Sequence, residues 1–202
     1  MVGGVGRKLL VATHNAGKLE EITALLQPYG VTILSARMLG LPEPAETETT
    51  FVGNARIKAH AGARASGLPT LADDSGITVD ALGGAPGVYT ADWAETPKGR
   101  DFVLAMTRLW DALEAASAPF PRLAQFRSTL VLAWPDGRDK VFDGVMHGQV
   151  VWPMRGSDGH GYDPMFVPDG QGLTCAEMPM IEKNAISHRA MAFEKLVEEV
   201  FA

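Results

Sequence analysis

After Lys8, residues 9–12 are apolar without interruption, which is the pattern of a short strand covered on both faces (8–13). The spacing then changes. Between residues 15 and 28 the apolar side chains fall at Leu19, Ile22, Leu25 and Leu26, one face of a helix that Pro28-Tyr29-Gly30 would end. Val31 to Ala36 predicts a second strand, and residues 40–50 an acidic, proline-containing loop. An alanine-rich helix is expected from Phe51 to Ser66, closed by Gly67 with Pro69 beyond it. Strands are expected near 70–74 and 77–80, ahead of the glycine-rich turn 82–87, and a long helix from about Pro97 to Ala116. Two β-patterned stretches, 124–134 and 139–152, flank Pro135-Asp136-Gly137 and predict a hairpin. A glycine-dense loop at 156–163 precedes a short strand near 164–167, and a last helix is expected over 184–201. Strand–helix alternation followed by a hairpin predicts an α/β fold with a mixed sheet. No internal repeat or low-complexity linker interrupts it, so residues 1–202 are expected to form one domain with two lobes.

Composition narrows the classes. The chain is 46% hydrophobic and 21% charged, enough for a sizeable core. A net charge of -6 argues against a nucleic-acid polymer as partner, which would call for a basic stripe. A nucleotide site stays open, because a few focused cations suffice for one. The single cysteine, Cys175, rules out an intramolecular disulfide and fits a reducing compartment; no Cys-His signature marks it as a nucleophile. Arg7-Lys8 is followed by only four apolar residues, too few for a signal-peptide core, and no run approaches membrane-spanning length. The expectation is a soluble, cytoplasmic protein.

Five segments carry candidate chemistry. In Ala72-Asp73-Asp74-Ser75-Gly76 two carboxylates end an apolar run. Mg²⁺ takes oxygen ligands from one or two carboxylates plus substrate phosphates, which is one reading; a strand-to-turn exit with Asp and Ser bonding their own backbone is the other. Because side chains alternate along a strand, only one of the two acids is expected to face a ligand directly, the other bonding backbone or water. Thr13-His14-Asn15-Ala16-Gly17-Lys18 lies at a strand–helix junction, where free N–H groups make an anion site. Lys18 would oppose the helix dipole there unless an anion is bound, although an ordinary capped helix explains the segment as well. Asn54 and Lys58 share a helix face, and Glu46 in the preceding loop could swing toward Asp74 to complete a metal site; a solvated helix face is the alternative. Gly156 to Pro164 places His160 and Tyr162 among glycines, so that a ring could stack on a flat ligand, or else forms a mobile loop. Lys183 to Arg189 puts His188 and Arg189, a bidentate donor suited to phosphate or a base edge, at a helix start, although an ordinary surface helix start explains the segment as well. His60 and His147 are isolated and read as structural.

Taken in order, Thr13–Lys18, Thr50–Ala55 with Lys58-Ala59, Ala72–Gly76, Gly83–Tyr89, Gly159–Pro164 and Lys183–Arg189 resemble the inosine triphosphate pyrophosphatase family, the dITP/XTP pyrophosphatases, over nearly the whole chain. The resemblance implies a homodimer, an elongated mixed sheet with flanking helices forming two lobes around a nucleotide cleft, and Mg²⁺-dependent cleavage of ITP, dITP or XTP to the monophosphate and pyrophosphate. It implies Asp74 as catalytic carboxylate and metal ligand with Glu46 as the second ligand. Thr13, His14, Asn15, Ala16, Gly17, Lys18 and Ser75 would hold phosphates, and His160, Gly161, Tyr162, Asp163, Lys183, His188 and Arg189 would surround the nucleoside. Asn54 joins the substrate-binding set, and Lys18 and Lys58 join Asp74 as catalytic groups. Two positions depart from the family pattern. His160 stands where phenylalanine is usual, and Thr90-Ala91-Asp92-Trp93 replaces Ser-Ala-Arg-Tyr, which puts a carboxylate at Asp92 in place of a cation. The alternatives are a Maf-type nucleotide pyrophosphatase acting on other bases, against which Ser187-His188-Arg189 speaks, and a nucleotide-binding sensor without turnover.

Overall fold

The computed structural model describes residues 8–14 and 16–201. Strand β1 (Lys8–Val11) runs parallel to β2 (Thr32–Ser35), with Leu9 opposite Ile33, and parallel to β3 (Thr70–Val79), with Val11 opposite Leu71. The crossovers are helices α1 (Ala16–Leu26) and α2 (Phe51–Ser66). Thr50 caps α2 by accepting from the Gly53 N–H, and at its other end the Gly67 N–H bonds the Ala63 carbonyl. A two-stranded antiparallel ribbon, β4 (Glu95–Thr96) and β5 (Gly99–Arg100), leads to α3 (Phe102–Ala115). Strands β6 (Leu123–Ala133) and β7 (Asp139–Val150) follow, then β8 (Phe166–Pro168), antiparallel to β7. The main sheet has six strands in the order β2-β1-β3-β6-β7-β8, mixed as expected. Helices α4 (Met180–Ala185) and α5 (His188–Val200) complete the chain.

The chain packs as two compact units: residues up to Asp74 with 129–143 and 192 onward, and residues 75–128 with 144–191. In the first unit the sheet is covered on both faces. Leu9, Val11, Leu71 and Leu132 pack with Ile22 and Leu26 of α1 and Leu196 of α5. On the opposite face Ala72, Val131 and Ala133 meet Ala55, Ala59 and Ala63 of α2. In the second unit α3 packs Leu109 and Leu113 into a core with Ile77, Phe126, Met165 and Phe166. Among the described residues no helix is long and apolar enough to cross a membrane.

Three predicted elements differ. The two strands expected at 70–74 and 77–80 are one strand, β3. Gly76 does not break it; a Cβ there would press on the Gly87 carbonyl oxygen (2.6 Å) and overlap the Thr90 hydroxyl, so the glycine admits a neighbouring turn. The helix expected from Pro97 starts at Phe102, because Thr96–Gly99 form the ribbon turn and Asp101 is the cap, accepting from the Leu104 N–H at 3.0 Å. The last helix is two helices. Ser187 accepts from the Ala190 N–H and so starts α5 afresh, leaving Lys183 and Asn184 in α4.

Candidate functional site

Alternation along β3 decides what the paired acids meet. Leu71 packs on the α1 side of the sheet and Ala72 on the α2 side. The next two positions repeat that order. Asp73 Oδ2 accepts from Lys18 Nζ of α1 at 2.5 Å, and Asp74 Oδ1 lies 3.9 Å from Lys58 Nζ of α2. Both acids are buried, at 6% and 7% exposure. The expectation that Asp73 bonds backbone or water therefore changes: it has a charged partner on α1, and the pair divides between two helices.

Around Asp74 the polar groups interlock. Lys58 Nζ donates to Glu46 Oε1 at 2.5 Å, so one ammonium serves Glu46 and Asp74. Asn54, one turn before Lys58 and 2% exposed, accepts from the Glu48 N–H at 2.9 Å and hydrogen-bonds the Asp74 carboxylate. Burial raises the Asp74 pKa to about 6; Lys58 and the Asn54 bond pull it down, while Glu46 and Asp73 push it up. Burial alone would lower Lys58, but Asp73, Asp74 and Glu46 more than offset this and hold its pKa above the ordinary lysine value. The result is a buried, hard-oxygen, charge-dense patch containing a carboxylate poised near neutrality, the type of perturbed group that concentrates at functional sites. Among the described residues no three or more His, Cys, Asp and Glu side chains are grouped to hold a metal ion.

The other predicted residues of the first unit are placed as follows. Lys18 is in the first turn of α1, and Thr13 is buried just ahead of it. His14 is engaged by the acidic loop: its Nε2–H donates to the Leu41 carbonyl at 3.1 Å, and Nδ1 is 3.8 Å from Glu43. Ala16 and Gly17 belong to the same first turn. Asn15, expected as cap and phosphate contact, lies outside the described residues.

In the second unit the glycine loop is organised by Asp163. Its Oδ2 accepts from the His160 N–H and from Lys183 Nζ, each at 2.9 Å. The His160 side chain is exposed and, with Gly159 and Gly161, lines a cavity of about 500 Å³ shared with Lys98, Arg100 and Phe102. Tyr162 does not share that exposure. Its ring is 2% exposed, lies edge-on to Phe102 at 6.0 Å between centroids, and its hydroxyl donates to the Thr90 carbonyl at 3.0 Å. Tyr162 is thus a buried anchor, and the stacking face expected of it is absent. His188 and Arg189 open α5, with the His188 imidazole stacked on Phe126 at 5.3 Å. Ser75, also in this unit, is half-buried in β3.

Sequence reasoning does not reach Lys98, Arg100 and Phe102, because Pro97 also fits a helix start. Thr-Pro-Lys-Gly between two extended residues was the available turn signal. At Asp92 the chain forms a short 3₁₀ turn beside a cavity of about 400 Å³ with Tyr89, Trp93 and Arg108; Arg108 donates to the Trp93 carbonyl at 2.8 Å.

Comparison with known proteins places this geometry in context. The model of the Ham1 family matches residues 9–199. A dITP/XTP pyrophosphatase of Ruegeria pomeroyi is 70% identical over 196 residues, covering 97% of this chain and 96% of that protein. One from Agrobacterium fabrum is 54% identical over 203 residues, covering 95% of each. Among solved structures, a HAM1 protein from Coxiella burnetii superposes with a TM-score of 0.90 at 36% identity, covering 96% of this chain and 98% of that one.

Proposed function

The chain belongs to the Ham1 family, and on that premise we propose that it hydrolyses deaminated purine nucleoside triphosphates (ITP, dITP and XTP) to the monophosphate and pyrophosphate. The observation that carries the reading is the buried Asp74 and Lys58, with the exposed Glu46 on the same ammonium, together with the Lys18–Asp73 pair. It combines concentrated positive charge with a carboxylate that titrates near 6. A pure binding module needs the cations and has little use for the buried carboxylates, which disfavours the sensor alternative.

The chemical problem is to bring water to the α-phosphorus of a polyanion. Lys18 and Lys58 would neutralise developing charge on the phosphates, the main route by which phosphoryl transfer is accelerated. Asp74 would orient the attacking water and take its proton. At pH 7.5 a group with a pKa of about 6 is mostly ionised, yet far more basic than an ordinary aspartate. Asn54 would hold the Asp74 carboxylate in place while its oxygen fixes the loop that carries Glu46. Thr13, the first turn of α1 and Ser75 would bind phosphate oxygens.

The donor set suits Mg²⁺. Asp74 and Glu46 offer hard oxygens, two carboxylates being the usual protein contribution beside substrate phosphates. Desolvation now disfavours the Asp74 charge, a penalty that a bound divalent cation would relieve. When bound, the ion would supply Lewis-acid polarisation and charge neutralisation at the triphosphate.

For the nucleoside, His160, Lys183, His188 and Arg189 are the proposed surroundings, with imidazole stacking in place of the phenyl ring usual in the family. A donor facing the purine 6-keto group, for which Arg189 or a backbone N–H are candidates, would reject ATP by leaving buried polar groups unpaired. We also propose that the whole chain works as one catalytic domain, as a homodimer, in the cytoplasm where the nucleotide pool lies. The assay is incubation with Mg²⁺ and ITP, XTP, dUTP or ATP, measuring pyrophosphate and phosphate separately. Pyrophosphate from ITP and XTP with little from ATP supports the reading; phosphate as first product, or ATP turned over as fast as ITP, removes it.

A further inference from the structure

Helix α2 rests on the sheet along a seam with little relief. Ala55, Ala59 and Ala63 meet Ala72, Val131 and Ala133, and Gly62 comes so close to β3 that a Cβ there would lie 2.7 Å from the Thr70 methyl. Packed helices take their register from side-chain ridges set into grooves, and methyl groups make shallow ridges. The seam therefore holds α2 close without fixing its rotation about its own axis. The side chains able to fix it stand on either flank. At about 3.6 residues per turn, Arg56 and His60 lie about 200° around the helix from Asn54 and Lys58, with the alanines between them. One flank thus carries the candidate catalytic lysine. On the other, Arg56 Nε and Nη2 fork onto Asp139 Oδ2 and Oδ1 at 3.0 and 3.1 Å, and the His60 Nε2–H donates to the same Oδ2 at 2.9 Å. Alternation along β7 aims Asp139 at α2: Val141 packs on the alanine seam, whereas Lys140 pairs with Glu199 of α5 and Phe142 packs among the residues of that helix. Burial would raise the Asp139 pKa, but the bonds from Arg56 and His60 more than offset this and hold it below the ordinary aspartate value, so the carboxylate is charged at neutral pH.

We propose that Asp139 is a positioning residue for the hydrolytic site: by gripping Arg56 and His60 it fixes the rotation of α2, and so the place of Lys58 beside Asp74, without touching the substrate. This rests on the nucleotide reading above. The leverage is geometric. Side-chain ends lie about 5–6 Å from a helix axis, so a rotation of about 10° carries them about 1 Å. Lys58 has little room for such a shift, since its Nζ serves Glu46 at 2.5 Å and stands 3.9 Å from Asp74. A misplacement of about 1 Å, even one caused far from the chemistry, costs up to about 10²-fold in rate. His60, isolated in the sequence, thereby joins the support of the site.

Asp139→Ala removes the grip and leaves in place every group proposed to meet the triphosphate. It is expected to lower kcat for ITP by about 10–10²-fold with KM changed less than about twofold, because Lys58 would act on charge that develops in the transition state. The double variant R56A/H60A, which removes the grip from the helix side, should reproduce that loss. The decisive readout is a double-mutant cycle with Lys58→Met, run on protein that calorimetry shows to be folded at the assay temperature. If Asp139 acts through Lys58, D139A in the K58M background lowers kcat by less than about threefold. Effects that multiply in full would show that Asp139 works independently of Lys58. A raised KM at unchanged kcat would place it in substrate binding, and unchanged kinetics with a lowered Tm would leave it a structural ion pair; each of these results overturns the proposal. Should D139A fail to fold, R56A/H60A carries the test alone, and an unchanged kcat there overturns it. A wild-type protein inert toward ITP would remove the nucleotide reading and this inference with it, whereas an active wild type with unaffected variants removes only the inference.

Discussion

Replacing Asp74 with asparagine should stabilise the protein while abolishing its activity. The folded-state pKa of about 6 stands against 3.8 for an exposed aspartate, a gap of roughly 2 units, so ionising Asp74 in place costs about 3 kcal/mol at neutral pH. Asparagine has nearly the same shape and needs no charge there. It forfeits the attraction of Lys58, but that ammonium keeps Glu46 at 2.5 Å. A net gain on the order of 2 kcal/mol remains, which for a chain of this size is about 4–8 °C in Tm. The sign with pH follows from proton binding. Between pH 3.8 and about 6 the folded state binds more protons at Asp74 than the unfolded chain, so wild-type stability from this group is present at low pH and lost as pH rises through about 6. The advantage of the variant should therefore be full at pH 7.5 and shrink to about a third of that by pH 4.5. Calorimetry or urea melts in chelator-containing buffer at both pH values measure it, and turnover should fall by about 10²–10⁴ or more. A variant less stable than wild type at pH 7.5, or a gap independent of pH, would refute the reasoning.

Lys58→Met should act in the opposite sense, losing activity and about 3 kcal/mol of stability, because the buried Asp74 then lacks its cation; chemical denaturation tests this. The acidic limb of kcat/KM should fall near pH 6, activity rising as Asp74 ionises, and a flat profile between pH 5 and 7 would count against Asp74 as base. Gly76→Ala should cost about 1–3 kcal/mol through pressure on the Gly87 carbonyl and Thr90, read as a lowered Tm. Tyr162→Phe should lose about 1 kcal/mol with its bond to Thr90 yet leave ITP turnover intact, which separates an anchor from a stacking ring.

Periodicity made most of the framework legible. The apolar run at 9–12 and the alanine face of α2 each specify one element, and Thr50 and Gly67 mark where α2 starts and stops. The failures share a physical cause: a residue with two local uses was read for the commoner one. Gly76 read as a strand break, but it stays in β3 to admit a turn from elsewhere in the fold, and no local pattern carries that information. Pro97 fits a helix start as well as a ribbon turn, and only Asp101 capping Leu104 decides between them. The candidate site was legible as a set of residue types, not as partnerships. Alternation correctly separated Asp73 from Asp74, but assigning one of them to backbone or water ignored that both faces of a covered sheet carry helices, and therefore a lysine on each. The flanking glycines make His160 and Tyr162 equal candidates for a stacking ring; the burial of Tyr162 depends on the core formed with α3, which lies some sixty residues earlier.

The central claim is that water attacks the α-phosphorus with Asp74 as its base. Turnover of ITP in H₂¹⁸O, followed by mass spectrometry of both products, tests it most directly. The account predicts one ¹⁸O in the inosine monophosphate and none in the pyrophosphate, with label incorporation lost in Asp74→Asn. Label in the pyrophosphate, or undiminished incorporation in that variant, would contradict it.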